Sequence, residues 1–208
     1  MTKPGWKTHA VTAFLALVLG GGPAAAQSTF QASADPTAIV IQLSQDVGIR
    51  DTDRTPLLRV YGDGRVLVHY PVYMRRAGDY TLQLTPAELN ALLTTFVDGG
   101  LVEFDRGLVE RQMRQVQRSR QEAVRQAGGQ PALTTRSDET LISLDVRLDR
   151  YTPVAGAARE NVVTSIVWAG VQADATEFPE LGSLQNLAAV ERALRALTER
   201  PDLTRVAP

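Results

Sequence analysis

Apolar and polar positions alternate most regularly between Pro56 and Gly100. Leu58 and Val60 fall on one face of a strand, Tyr61-Gly62-Asp63-Gly64-Arg65 supplies a turn, and Val66, Val68 and Tyr70 return on one face. Asp-Gly between two alternating runs is a hairpin signal, because glycine accepts the positive φ of a tight turn. Tyr80, Leu82 and Leu84 then alternate with Asp79, Thr81 and Gln83, which predicts a third strand. Thr85-Pro86-Ala87-Glu88 follows, a capping box with proline at the first helical position. Leu89, Leu92, Leu93, Phe96 and Val97 recur at helical spacing behind it, and Gly99-Gly100 provides a left-handed stop. A sheet face and a helix face must therefore bury each other.

The same logic extends in both directions. Ala38 to Leu43 reads as a strand with Ile39, Ile41 and Leu43 on one face and Val40 and Gln42 on the other. Gln45 to Thr55 is a polar loop carrying Asp46, Asp51 and Asp53; Asp51-Thr52-Asp53 resembles the start of a calcium loop but lacks the glycine and distal glutamate that complete the oxygen cage. Leu101 to Asp105 is a short apolar return, expected to pack beneath the helix. Ile142, Leu144, Val146 and Leu148 alternate with Ser143, Asp145, Arg147 and Asp149, and Asn161 to Trp168 returns with both faces apolar, as a central strand would. Ala169 to Gly182 has no period. Leu184, Leu187, Val190, Leu194 and Leu197 mark a final helix from about Ser183 to Glu199, stopped by Pro201, before a tail.

Gly107 to Gly129 stands apart. Between Arg111 and Gln126 it holds five arginines and six glutamines or glutamates without a proline, which predicts a long polar helix. Val109, Met113, Val116, Ala123 and Ala127 form a narrow seam in which Arg120 occupies an apolar place. That seam either rests on the domain or meets a partner helix. The predicted architecture is α+β: a mainly antiparallel sheet of about six strands, two amphipathic helices on one face, and the additional arginine-rich helix.

The first 26 residues change the setting. Lys3 and Lys7 precede an apolar run from Ala10 to Leu19, and Ala24-Ala25-Ala26 offers small residues before Gln27. About ten apolar residues suit a secretory signal, whereas a membrane span needs about 20. Export to the periplasm or beyond is therefore expected, with residues 27–37 as a flexible leader, 38–200 as one domain, 201–208 as tail, and no transmembrane segment after cleavage. Cleavage removes both lysines and no acid, leaving 20 arginines against 23 acidic residues, a charge of minus three. Nucleic acid is a poor partner for such a chain. The absence of cysteine excludes disulfides and a lipid-modified N-terminal cysteine, and the absence of lysine excludes Schiff-base and Ser-Lys chemistry.

Candidate chemistry is sparse. His69 alone remains after export and sits with Leu67 on the face opposite Val66 and Val68, where a surface histidine and a general base are both possible readings. One histidine and no cysteine cannot build a multi-histidine zinc site, and no G-x-S-x-G elbow occurs. No catalytic residue, metal site or cofactor is predicted. Asp145 and Asp149 on one wet face read as solvation. Tyr70-Pro71-Val72-Tyr73-Met74-Arg75-Arg76 concentrates residue types enriched at interface centres, so Tyr70, Tyr73, Met74, Arg75 and Arg76 are the candidate binding residues.

Pro56-Leu57-Leu58-Arg59-Val60-Tyr61-Gly62-Asp63-Gly64-Arg65-Val66, followed by Leu84-Thr85-Pro86-Ala87-Glu88-Leu89 and Leu92-Leu93, resembles a family of uncharacterised bacterial exported proteins and lipoproteins. The resemblance covers about Ala38 to Asp105 and leaves out the arginine-rich helix. It implies an exported α+β domain of unknown function and carries over no catalytic residues. The functional expectation is a non-enzymatic domain binding a protein or a cell-envelope component. The alternatives are a hydrolase of an envelope polymer working through two carboxylates, and a structural oligomer joined through the Val109 to Ala127 seam.

Overall fold

The computed structural model describes residues 27–33, 35–46, 53–130 and 139–207. The segment 1–26 expected to be an export signal, Asp51, and most of the predicted loop from Gln130 to Ser137 lie outside the described residues.

The fold is α+β, and the described residues form an antiparallel sheet of eight strands with four helices. The strands are β1 (Thr29–Gln31), β2 (Ile39–Asp46), β3 (Leu58–Tyr61), β4 (Arg65–Tyr70), β5 (Gly78–Gln83), β6 (Leu141–Thr152), β7 (Arg159–Ala169) and β8 (Thr204–Arg205). The helices are α1 (Pro86–Asp98), α2 (Arg106–Gln126), α3 (Val171–Glu177) and α4 (Gly182–Thr198). The hairpin forms as predicted: Leu58 pairs with Val68 and Val60 with Val66, and the Asp63 carboxylate accepts the Arg65 N–H at 2.9 Å. Gly64 carries the required positive φ of 85°. Both halves of the capping box close at Thr85 and Glu88, and Gly100 turns the chain out of α1 at φ 69°.

One apolar cluster unites the two halves of the chain. Val60, Val66, Val68, Leu82, Ile142, Leu144, Val146 and Leu148 from the sheet are buried with Leu89, Leu93, Phe96 and Val97 of α1 and Leu184, Leu187, Val190 and Leu194 of α4. The predicted apolar return after α1 is a short 3₁₀ turn whose Leu101 and Val102 are buried.

Several expectations are corrected. Among the described residues there are eight strands, not about six, because segments on either side of the expected domain join the sheet: Phe30 in the supposed leader pairs with Tyr151, and Arg205 in the supposed tail pairs with Tyr80. A bulge in β2 inserts Val40 between Ile39, opposite Tyr61, and Ile41, opposite Val60, so that Val40 and Ile41 both turn inward. β7 is an edge strand rather than a central one. It occupies one side of β6, while β1 and β2 share the other, and Val163 is 62% exposed and Val167 37% exposed on its outer face. The aperiodic stretch after Ala169 contains α3, whose Asp174 accepts the Trp168 indole N–H at 2.8 Å.

α2 is as polar as predicted, with Val109 its one buried residue among those described and Met113 and Val116 half-buried. Arg120, the break in the apolar seam, fastens it to the body. Its guanidinium donates to Glu180 at 2.9 and 3.2 Å and to the Glu177 carbonyl at 2.9 Å, above the Phe178 ring. Beyond it Ala123 and Ala127 are exposed.

Candidate functional site

Strand alternation places His69 on the sheet face opposite the core, and antiparallel register sets Asp79 of β5 directly across from it. The imidazole Nδ1 lies 2.7 Å from Asp79 Oδ1 and Nε2 lies 2.8 Å from Asp53 Oδ2. Asp53 belongs to the irregular segment Asp53–Leu57 that leads into β3, and its other carboxylate oxygen accepts the Thr55 N–H at 3.0 Å. Leu57 is fixed by its carbonyl, which accepts the His69 backbone N–H at 2.9 Å.

The connection from β4 to β5 is two consecutive turns, in which the Met74 N–H donates to the Pro71 carbonyl at 2.9 Å and the Ala77 N–H to the Met74 carbonyl at 3.0 Å. They hold three large side chains outward: Val72 is 87% exposed, Tyr73 62% and Met74 46%. Between this loop and the Asp53 segment lies a cavity of about 150 Å³ lined by Gln45, Asp53, Thr55, Leu57, His69, Pro71, Tyr73 and Met74. A space of this size accommodates one benzene-sized group. Its lining is apolar along Leu57, Pro71 and Met74 and polar at Asp53, His69 and Gln45.

The polar end is anchored to the core. Arg195 of α4 donates to Gln45 Oε1 at 3.1 Å and to Glu191 at 2.7 Å. Glu191 is buried and accepts a second hydrogen bond from Gln172 at 2.6 Å, so its charge is compensated where water is excluded.

The electrostatics follow from this geometry. Partial burial alone would disfavour the charged imidazole, but the hydrogen bonds and charges of Asp79 and Asp53 outweigh it, and the His69 pKa is raised above its ordinary 6.5. The hydrogen bonds from His69 and Thr55 hold the Asp53 carboxyl down from 3.8 to about 2.

The sequence-predicted binding residues separate. Tyr70 is a correction: it is buried with its ring edge-on to Tyr80, and its hydroxyl donates to the Thr198 carbonyl at the end of α4. Its alternation with Val66 and Val68 decides its fate over its place beside the loop. Tyr73 and Met74 stay at the surface and line the cavity. Arg75 and Arg76 are exposed, and the Arg76 guanidinium lies over both Tyr70 and Tyr80 at 5.4 and 5.3 Å. His69 proves to be neither a plain surface histidine nor a base with a vacant ring nitrogen. Sequence reasoning missed its clamp by Asp53 and Asp79, although the β4–β5 pairing carried the signal for Asp79. Asp145 and Asp149 keep to the wet face of β6.

Among the described residues no group of three or more histidine, aspartate or glutamate side chains is placed to hold a metal ion, and no helix is long and apolar enough to cross a membrane. No protein-family model, curated protein or solved structure matches the chain.

Proposed function

We propose that this protein is an exported, non-enzymatic binding domain whose contact surface is the loop from Pro71 to Ala77 together with the cavity beside it, and whose partner is a protein or another cell-envelope component. The observation that carries the reading is the outward display of Val72, Tyr73 and Met74, consecutive and exposed, on a loop pinned by two turns. A loop whose backbone is already fixed by turns has less freedom to lose on binding, which favours large side chains displayed on it as interface anchors. Arg75 and Arg76 give the patch a polar rim. Export is supported by Lys3, Lys7, the apolar run from Ala10 to Leu19 and the small residues Ala24 to Ala26.

Hydrolysis by two carboxylates asks one carboxyl to keep its proton near neutrality. Asp53, the carboxylate in the cavity wall, is instead held down to about 2 and spends both oxygens on His69 and Thr55. That favours the binding reading.

The test is capture from envelope extract on immobilised protein. Tyr73→Ala and Met74→Ala, alone and with Arg75→Ala, should reduce recovery of the wild-type partner without changing thermal stability. Undiminished recovery with all three replaced would remove the loop from the interface.

A further inference from the structure

Both ring nitrogens of His69 face carboxylate oxygens, Nδ1 at 2.7 Å from Asp79 and Nε2 at 2.8 Å from Asp53. An ionised carboxylate only accepts hydrogen bonds, and a neutral imidazole has a single N–H to donate. The two contacts therefore coexist only when the ring carries both protons. We propose that His69 is a proton-operated fastener that holds residues 53–56 as a wall of the cavity, and that loss of its proton loosens that wall.

The two attachments differ in what lies behind them. Asp79 sits on β5, whose backbone is paired with β4 through this position. Asp53 sits on a segment without strand pairing, folded on itself by the Thr55 bond and hinged at Leu57, which stays attached through the His69 backbone. When the ring is neutral, Asp53 either faces a bare nitrogen lone pair or keeps a bond from an uncharged donor, and in both cases the charge-assisted bond is gone. The cluster of one imidazole and two carboxylates also passes from one net negative charge to two, so the carboxylates repel without a cation between them. Among the described residues lining the cavity, Tyr73 is the remaining titratable side chain, and Arg195 donates to Gln45 of the same wall. Asp53, Thr55 and Leu57 all line the space, so loosening the segment removes one side of it.

The fastener stands on geometry alone; its consequence, stronger binding with the ring charged, rests on reading the cavity as part of the contact surface. It is tested by NMR on uniformly ¹⁵N-labelled protein titrated across the imidazole range. At the acid end both His69 ring nitrogens should carry protons. The Thr55 amide, which donates to Asp53, should shift with the same midpoint as the ring, and its hydrogen exchange should quicken about tenfold beyond the ordinary base effect above that midpoint, the equivalent of losing one charged hydrogen bond. In Asp53→Asn the ring midpoint should fall by roughly one pH unit and the Thr55 amide should cease to follow it, with the β2 and β3 amides unchanged. In Asp79→Asn the midpoint should also fall, but Thr55 should still follow the ring. A Thr55 amide that stays still through the wild-type ring titration, or that tracks it equally in Asp53→Asn, would overturn the proposal. The titration and the capture assay fail separately: a coupled Thr55 with no partner captured sinks only the binding surface, and capture with an uncoupled Thr55 sinks only the fastener.

Discussion

The Tyr70 hydroxyl donates to the carbonyl of Thr198, joining the last residue of β4 to the last residue of α4 across 128 positions of sequence. This bond satisfies one of the carbonyls that a helix leaves open at its C-terminus, in a place where water cannot reach. Tyr70→Phe keeps the ring against Tyr80 and deletes only the donor. It should lower the unfolding free energy by about 1 kcal/mol in denaturant melts and leave partner capture unchanged. Loss of capture at full stability would return Tyr70 to the interface.

Stability should depend on pH from both sides of the His69 cluster. A histidine whose folded pKa is raised contributes stability that is complete below its ordinary 6.5 and fades as pH rises through the raised value. Asp53 behaves oppositely, with a contribution present above 3.8 and lost as pH falls through about 2. Melts over a pH series should show the alkaline decline in the wild type and its absence in His69→Gln. Parallel wild-type and His69→Gln profiles would contradict the ring's charge in the folded state.

Glu191 joins α4 to α3 and, through Arg195, to the cavity wall at Gln45. Glu191→Ala should cost about 1–3 kcal/mol, because Gln172 and Arg195 are left without their buried acceptor. The checking measurement is again a denaturant melt, with the Arg195→Ala, Glu191→Ala double variant closer to the single variants than to their sum.

Gly62 sits where the chain before β2 crosses the hairpin turn. A Cβ there would stand 2.5 Å from the backbone oxygens of both Ser33 and Asp35, and neither is a flexible tip. Gly62→Ala should therefore destabilise by about 1–3 kcal/mol and expose residues 27–33 to protease, whereas a neutral effect would mean that this segment is not docked.

The readable parts of the chain were those whose determinants are local. The 58–70 hairpin, the Thr85–Glu88 box and the leucine stripe of α4 each carry their signal within a few residues. What escaped depends on distant partners. Three residues around Phe30 have no period, and become a strand only because β6 extends past the end of β2 to receive them. β7 looks central by composition, yet it lies at the edge, where the 3₁₀ turn and α2 cover part of it through the Thr164 bond to Val102 and the Arg106 bond to Val167. The site divides in the same way. Met74 and Tyr73, which line the cavity, were legible as candidate binding residues, and Asp79 follows from hairpin register, but Asp53 reaches His69 from a loop whose path no spacing rule gives.

Whether the proposed partner sits on the 71–77 loop is decided by site-specific photo-crosslinking in intact cells. A crosslinker at Val72, 87% exposed beside the cavity, is compared with one at Arg118 on the outer face of α2. Position 72 should give a discrete adduct that disappears when Tyr73 and Met74 are also replaced by alanine. A discrete adduct from position 118 with none from position 72 would contradict it and move the interface to the arginine-rich helix.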